Sequence, residues 1–269
     1  MKIGNRLFDT ENHTYIMGIL NITPDSFSDG GKWNHIDEAL RHTETMIAEG
    51  ADIIDIGGES TRPGHTPVSA DEEAQRVLPV IEAVKKRFDI PISVDTFKSS
   101  VAKSAIQAGA DLVNDIWGLK YDSQMGAVIA EYDVACCLMH NKSNTEYKNF
   151  LIDMLSETQE CVNLARQAGI KDEKIILDPG VGFGKTYEMN LETMKHLELF
   201  QKLGFPVLLG TSRKSMIGLA LDLPVDQRVE GTLATSVIGV MKGCAFVRVH
   251  DVKENKRVIQ MTEAILAQR

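Results

Sequence analysis

Tyr15-Ile16-Met17-Gly18-Ile19-Leu20 is an almost wholly apolar run. It breaks at Asn21-Ile22-Thr23-Pro24-Asp25-Ser26-Phe27-Ser28-Asp29-Gly30-Gly31 into a polar stretch. The first six residues read as a strand buried on both faces, because the apolar character is continuous rather than alternating. Pro24 removes a backbone donor, and the Gly30-Gly31 pair forbids a simple continuation, so the strand ends abruptly. Asn21, Thr23, Asp25, Ser26, Ser28 and Asp29 crowd the loop, with Phe27 its one large apolar group. Such a loop is costly to order for structure alone, and loops carried on rigid strands are where binding and catalytic groups tend to sit.

The same figure recurs along the chain. Short apolar strands are expected at Tyr15 to Leu20, Ile53 to Ile56, Ile92 to Val94 and Leu112 to Val113. Four more follow at Val134 to Met139, Ile175 to Leu177, Val207 to Leu209 and Phe246 to Val249. Helix-length segments separate them. Ser69-Ala70-Asp71-Glu72 reads as a capping box, with Val77, Ile81, Val84 and Phe88 as the apolar stripe behind it and Pro79 as a kink. Ile36, Leu40 and Ile47 line another stripe ending at Gly50. The segments after Ser99 and from Phe150 to Ala168 stop at Gly109 and Gly169. Eight strand-helix units without a break in composition argue for a single-domain (β/α)8 TIM barrel over residues 1–269. An open doubly wound sheet is the runner-up, disfavoured because no G-x-G-x-x-G follows the first strand. Lys2 to His13 is expected to form a β-hairpin at the barrel floor, and Val252 to Ala267 a final helix covering either the barrel or a partner.

Composition narrows the function. The net charge of −9 and the lack of an Arg-rich run argue against nucleic-acid binding. No apolar stretch approaches the roughly 20 residues that span a bilayer, and MKIGNRLFDTENH lacks an apolar signal core. Cys136, Cys137, Cys161 and Cys244 form no C-x-x-C pair, which disfavours zinc. Cys136 and Cys137, adjacent in an apolar run, read as core residues, and reduced thiols suit a cytoplasmic protein.

In this kind of barrel the active site lies at the C-terminal ends of the strands. There the chain places Asn21, then Asp55 and GGESTRPG, Asp95-Thr96, Asn114-Asp115, DPGVGFGK from Asp178, GTSRKS from Gly210, and Arg248-Val249-His250. Asp95, Asn114 and Asp178 suit a polar heterocycle or a developing positive charge. Arg62, Lys214, Arg248 and His250 suit phosphate or carboxylate oxygens. Together they fit a polar ring carrying a phosphate tail. Asp55 and Asp115 read instead as helix caps or turn formers. His140 is open between ligand contact and structural hydrogen bonding, and His13, His35, His42, His65 and His196 read as surface or loop residues. DPGVGFGK lacks P-loop spacing.

The motifs GILNITPDSFSDGG, IIDIGGESTRPG, SVDTFKSSVA, LVNDIWG, ILDPGVGFGK, GTSRKSMIG and VRVHDV span Gly18 to Val252. In that order the chain resembles the dihydropteroate synthase family. The resemblance implies a TIM barrel that is commonly a homodimer. Its reaction joins (7,8-dihydropterin-6-yl)methyl diphosphate to 4-aminobenzoate with Mg2+ assistance, and sulfonamides inhibit it. By motif, Asp95, Asn114, Asp178 and Lys214 would bind the pterin, with Met139 as an apolar wall. Asn21, Thr61, Arg248 and His250 would hold the diphosphate, Asn21 also lying near Mg2+. Phe27, Arg62, Pro63, Phe183 and Ser215 would receive 4-aminobenzoate, helped by backbone N–H groups of the helix beginning near Ser215. Asp95, Lys214, Arg248 and His250 are the expected catalytic groups, and the Gly-rich loops after the first two strands are expected to close as lids. An alternative is a pterin-binding methyltransferase acting on a methylfolate and a corrinoid partner. It would not need Thr61-Arg62-Pro63, Arg248 or His250. A catalytically silent relative is a third reading, against which the intact charged set argues.

Overall fold

A strand with both faces buried must send alternate side chains to two different apolar environments. In the computed structural model this division is complete. It describes residues 1–22, 32–59 and 68–267, with 32–34 described as backbone. The parallel strands are β3 (Tyr15–Asn21), β4 (Ile53–Gly57), β5 (Ile92–Asp95), β6 (Leu112–Asp115), β7 (Ala135–Met139), β8 (Ile175–Asp178), β9 (Leu208–Leu209) and β10 (Phe246–Val249). Their order is β8-β7-β6-β5-β4-β3-β10-β9, and a parallel bridge from Leu177 to Val207 joins the two ends into a ring. The eight strands expected from sequence are all present.

Outward-facing residues such as Ile16, Ile54, Ile56, Val94, Val113 and Leu177 pack beneath the surrounding helices. Inward-facing Met17, Ile53, Leu112, Cys137, Ile176, Leu208 and Phe246 form a separate apolar layer inside the ring. Cys136 and Cys137, neighbours in sequence, therefore fall in different cores. The short hairpin β1 (Lys2–Ile3) and β2 (Arg6–Leu7) closes this layer from below, with Ile3 and Phe8 buried in it. Phe8 stacks edge-on against Tyr15 at 4.8 Å.

The helices are α1 (Lys32–Glu49), α2 (Ala70–Arg87), α3 (Ser99–Ala108), α4 (Met125–Tyr132) and α5 (Phe150–Gln167). They continue with α6 (Tyr187–Lys195), α7 (Glu198–Gln201), α8 (Ser215–Leu221), α9 (Val229–Met241) and α10 (Val252–Leu266). α2 runs through Pro79 as one helix to Arg87. The capping box forms by half: Ser69 Oγ accepts the Glu72 N–H at 3.2 Å, but the Glu72 carboxylate turns to Arg76 at 2.5 Å. α3 ends at Gly109 with φ +116°, the left-handed stop that glycine allows. α10 packs on α9, α1 and β3, so it covers the barrel and completes the helical ring.

Candidate active site

Strand parity positions the site. Asp55, Asn114, Asp178 and Arg248 each lie two residues beyond an inward-facing member of the apolar layer, respectively Ile53, Leu112, Ile176 and Phe246. They therefore point into the barrel, one layer above the floor. Register adds Asp95, which pairs with Gly57 on one side and Asn114 on the other. Asn21 ends β3 opposite Gly57. The barrel is thus apolar below and densely charged above.

Arg248 sits at the centre of this upper layer. Its Nε donates to Asp55 Oδ2 at 2.5 Å and its Nη2 to Asp95 Oδ2 at 2.6 Å. Asn114 Nδ2 donates to the same Asp55 oxygen at 3.2 Å. The other oxygens of Asp55 and Asp95, and the Ser93 hydroxyl beside them in register, are buried and have no hydrogen-bond partner among the described residues. Asp55, Asp95 and Asp178 set three carboxylates against the two cations Arg248 and Lys214. In a desolvated interior this imbalance disfavours one of the negative charges. Asp95 is pushed up to about 7 by burial and by Asp55, Glu73 and Asp115, with Arg248 opposing. Asp178 is also raised by burial, against Lys214 and the Gly180 N–H. Lys214 is drawn down to about 8 by burial, with Asp178 supporting its charge. Burial opposes the Arg248 charge too, but Asp55 and Asp95 more than offset it and hold the guanidinium protonated.

Lys214 reaches the same chamber from the turn before α8. Its Nζ donates to Val181 O at 2.5 Å and lies 4.9 Å from the Phe183 ring centre. An added Cβ at Gly210 would lie within 4 Å of Asp178 Oδ2, Lys214 Nζ and Arg248 Cβ, so these three groups converge on one backbone position. Met139, buried, forms an apolar wall with Phe97 and Ile116, against which Trp117 and Phe183 pack. His250 follows β10. Its Nδ1 lies 2.9 Å from Ser212 Oγ, and its backbone N–H donates to the same hydroxyl. Ser215 is exposed at the start of α8.

Over residues 17–250 the chain matches the family model described as pterin binding enzyme. The chain belongs to the pterin binding enzyme family. It is 63% identical over 267 residues to the dihydropteroate synthase of Clostridium beijerinckii, covering 99% of each chain. It superposes on the Clostridium difficile dihydropteroate synthase crystallised in the presence of pteroic acid with a TM-score of 0.94. The two are 52% identical, with 96% and 99% of the chains covered. For the Yersinia pestis dihydropteroate synthase in a sulfonamide drug complex the TM-score is 0.93 at 41% identity, with 99% of both chains covered.

For a pterin binding enzyme, a polar chamber with apolar side walls is the chemistry to expect. Asp95, Asn114, Asp178, Met139, Lys214 and Arg248 come together in it, with Asn21, Phe183, His250 and Ser215 on the surrounding strand ends and turns. Phe27, Thr61, Arg62 and Pro63 lie outside the described residues, as do Gly30, Gly31 and Gly64 of the expected lids. Gly57 and Gly58 do not read as hinges. Both are buried, and a Cβ on Gly58 would meet Val77 of α2 at 2.8 Å, so that glycine serves a close helix approach. Asp115 is a turn former, accepting from the Trp117 and Leu119 N–H groups at 2.9 and 2.7 Å.

Asp55 corrects its expected role as a cap or turn former. It is fully buried and pairs with Arg248 and Asn114 inside the barrel. The available signal was parity, because a charge between Ile54 and Ile56 shares the inward face of Ile53. His140 resolves to a structural role, with Glu157 on Nε2 at 3.0 Å and Lys185 on Nδ1 at 2.9 Å. His13 and His42 are exposed, while His35 and His196 are half-buried.

Proposed function

We propose that this chain is a dihydropteroate synthase, joining (7,8-dihydropterin-6-yl)methyl diphosphate to 4-aminobenzoate to give 7,8-dihydropteroate and diphosphate. The observation that carries this reading is the convergence of Arg248 and Lys214 with Asp95, Asn114 and Asp178 in one chamber at the strand ends.

Asp178 and Asn114 would pair with the hydrogen-bonding edge of the pterin, and Lys214 would donate to a ring acceptor. Met139 and Phe183 would cover the ring faces. Arg248, His250, Asn21 and Thr61 would take the diphosphate. Two of the five Arg248 N–H donors are engaged by Asp55 and Asp95. As the methylene C–O bond breaks, cationic donors would stabilise the charge growing on the leaving diphosphate. The positive charge left on carbon would spread into the pterin, facing Asp95. The aromatic amine then attacks that carbon and releases its proton. A weakly basic amine attacking a cation needs no strong base. Phe27, Arg62, Pro63 and Ser215 would form the 4-aminobenzoate pocket, where a sulfonamide would compete.

Mg2+ commonly takes only one or two protein oxygens and completes its shell with water and substrate phosphates. Among the described residues no group of three or more His, Cys, Asp and Glu is arranged to hold a metal. The Asn21 carbonyl, at the β3 end beside Gly57, fits such a sparse donor set. Bound there with diphosphate, Mg2+ would neutralise charge on the leaving group. A homodimer is supported by the exposed apolar residues Leu219, Leu221, Ile238 and Met241 on the packed helices α8 and α9. A cytoplasmic setting is supported by four buried cysteines with free thiols.

Diphosphate release measured with and without 4-aminobenzoate tests the reading. Release should depend on the amine and fall with added sulfamethoxazole. Lys214→Ala and Asp95→Ala should each lower kcat/KM on the order of 100-fold, the scale for losing one electrostatic stabiliser. Amine-independent release, or turnover indifferent to saturating sulfonamide, would exclude it.

A further inference from the structure

The geometry points to Lys185 as a positioning residue of the pterin pocket, gathering the β8–α6 loop so that this loop holds Lys214 beside Asp178. The inference rests on the pocket assignment above and adds a residue to it.

Lys185 is buried, at 9% exposure, yet no step of the proposed chemistry uses it. Its Nζ has three neighbours: His140 Nδ1 at 2.9 Å, Gly180 O at 2.9 Å and Phe183 O at 3.0 Å. Two are carbonyls and can only accept. The third is an imidazole nitrogen whose ring partner faces Glu157 Oε2 at 3.0 Å. The Glu157 carboxylate also takes Lys142 Nζ at 2.8 Å, so Nε2 is the ring nitrogen that carries the proton and Nδ1 presents a lone pair. Burial, reinforced by Lys185, Lys120 and Lys142, keeps His140 neutral by pulling its pKa to about 2. Three acceptors around one amine match the three donors of an ammonium. Burial draws Lys185 to about 7, with Asp178 supporting its charge.

These bonds bend the chain between Asp178 and Lys185 onto itself. Gly180, Gly182 and Gly184 have φ of +67°, +88° and +55°. A Cβ on Gly180 would meet His140 O at 1.9 Å, so the loop lies directly against the end of β7. Asp178 Oδ1 accepts the Gly180 N–H at 2.7 Å, and Asp178 O accepts the His140 N–H at 2.9 Å. Lys185 thus binds the carbonyls on either side of Val181–Gly182. One of the two carbonyls between them, Val181 O, receives Lys214, and the Phe183 ring lies under the same ammonium. Without Lys185, Phe183 O and the His140 lone pair lose this donor and Gly180 O keeps only the Phe183 N–H, so the platform for Lys214 loses the side chain that ties its two ends together.

The test is a double-mutant cycle read by calorimetric binding of pteroic acid to the full chain. Lys185→Met should weaken binding roughly 10- to 100-fold, as expected for the loss of charged hydrogen bonds. Lys214→Ala should weaken it comparably, and the double variant should be no weaker than Lys214→Ala within about 3-fold, because the first residue acts through the second. Tyr147→Phe, which removes a hydroxyl donor to Gly184 O in the same loop, should stay within about 3-fold of the parent on the same logic of coupling through Lys214. Multiplicative losses in the cycle, unchanged binding in Lys185→Met, or an equal loss in Tyr147→Phe would each overturn the inference. Unchanged binding in Lys214→Ala would overturn the pocket assignment together with it. If Lys185→Met does not fold, Lys185→Gln replaces it in the cycle with the same expectations.

Discussion

Asp95 and Asp55 differ in how openly the sequence displays them. Asp95 ends a short apolar strand, and a carboxylate there has little reason to exist except at a site. Asp55 stands one residue before a strand end, in a context equally suited to a turn, and its partner Arg248 is 193 residues away. What joins them is desolvation: two carboxylates share one guanidinium in a chamber that water cannot neutralise. This gives a signed prediction. The Asp95 pKa is raised by burial from the carboxylate value of 3.8 to about 7. The folded state then holds a proton that the unfolded chain gives up, so the contribution is complete below about pH 4 and disappears as pH rises through about 7. Thermal melts of the ligand-free protein should show Asp95→Asn gaining stability relative to the parent between pH 4 and 7. A constant difference across that range would contradict it.

At the scale of elements, boundaries were legible because they depend on local sterics and periodicity. Gly50, Gly109 and Gly169 all follow helix ends and all adopt positive φ. Ser69 caps α2 as its position suggested, whereas Glu72 prefers Arg76, since a charged partner one turn on outcompetes a backbone N–H. Ser69→Ala should therefore cost about 1 kcal/mol in urea unfolding, and Ser69→Asp should restore most of it. Equal stability of all three proteins would show the cap to be idle. Less legible was Lys98, which bridges the buried carboxylates of Glu59 and Glu73 at the base of α2. Nothing in SVDTFKSS distinguishes this lysine from a solvated one until α2 and β4 are placed against it.

For the whole molecule, the ring of helices leaves α8 and α9 with an apolar outer face: Leu219 is 66% exposed and Met241 63%. A patch of this kind is expected to be covered by a partner. Sedimentation equilibrium at micromolar concentration should give a dimer for the parent and a monomer for Leu219→Glu combined with Met241→Glu. A monomeric parent would remove the proposed homodimer.

The amino-acid sequence was sufficient for the eight strand-helix units, for the strand ends as the polar rim, and for most of the groups standing there. Those features follow from apolar run length, turn chemistry and a two-residue side-chain period, all of which act over a few neighbours. Only closure of the ring decided that Asp55 belongs to the chamber and that Arg248 lies between two carboxylates. Pairing of β7 with β8 likewise brought His140 and Lys185 together. Buried charges choose partners through space, in a low dielectric where a few ångströms determine which ionised state survives. Such distances exist only after strands far apart in the chain have become neighbours.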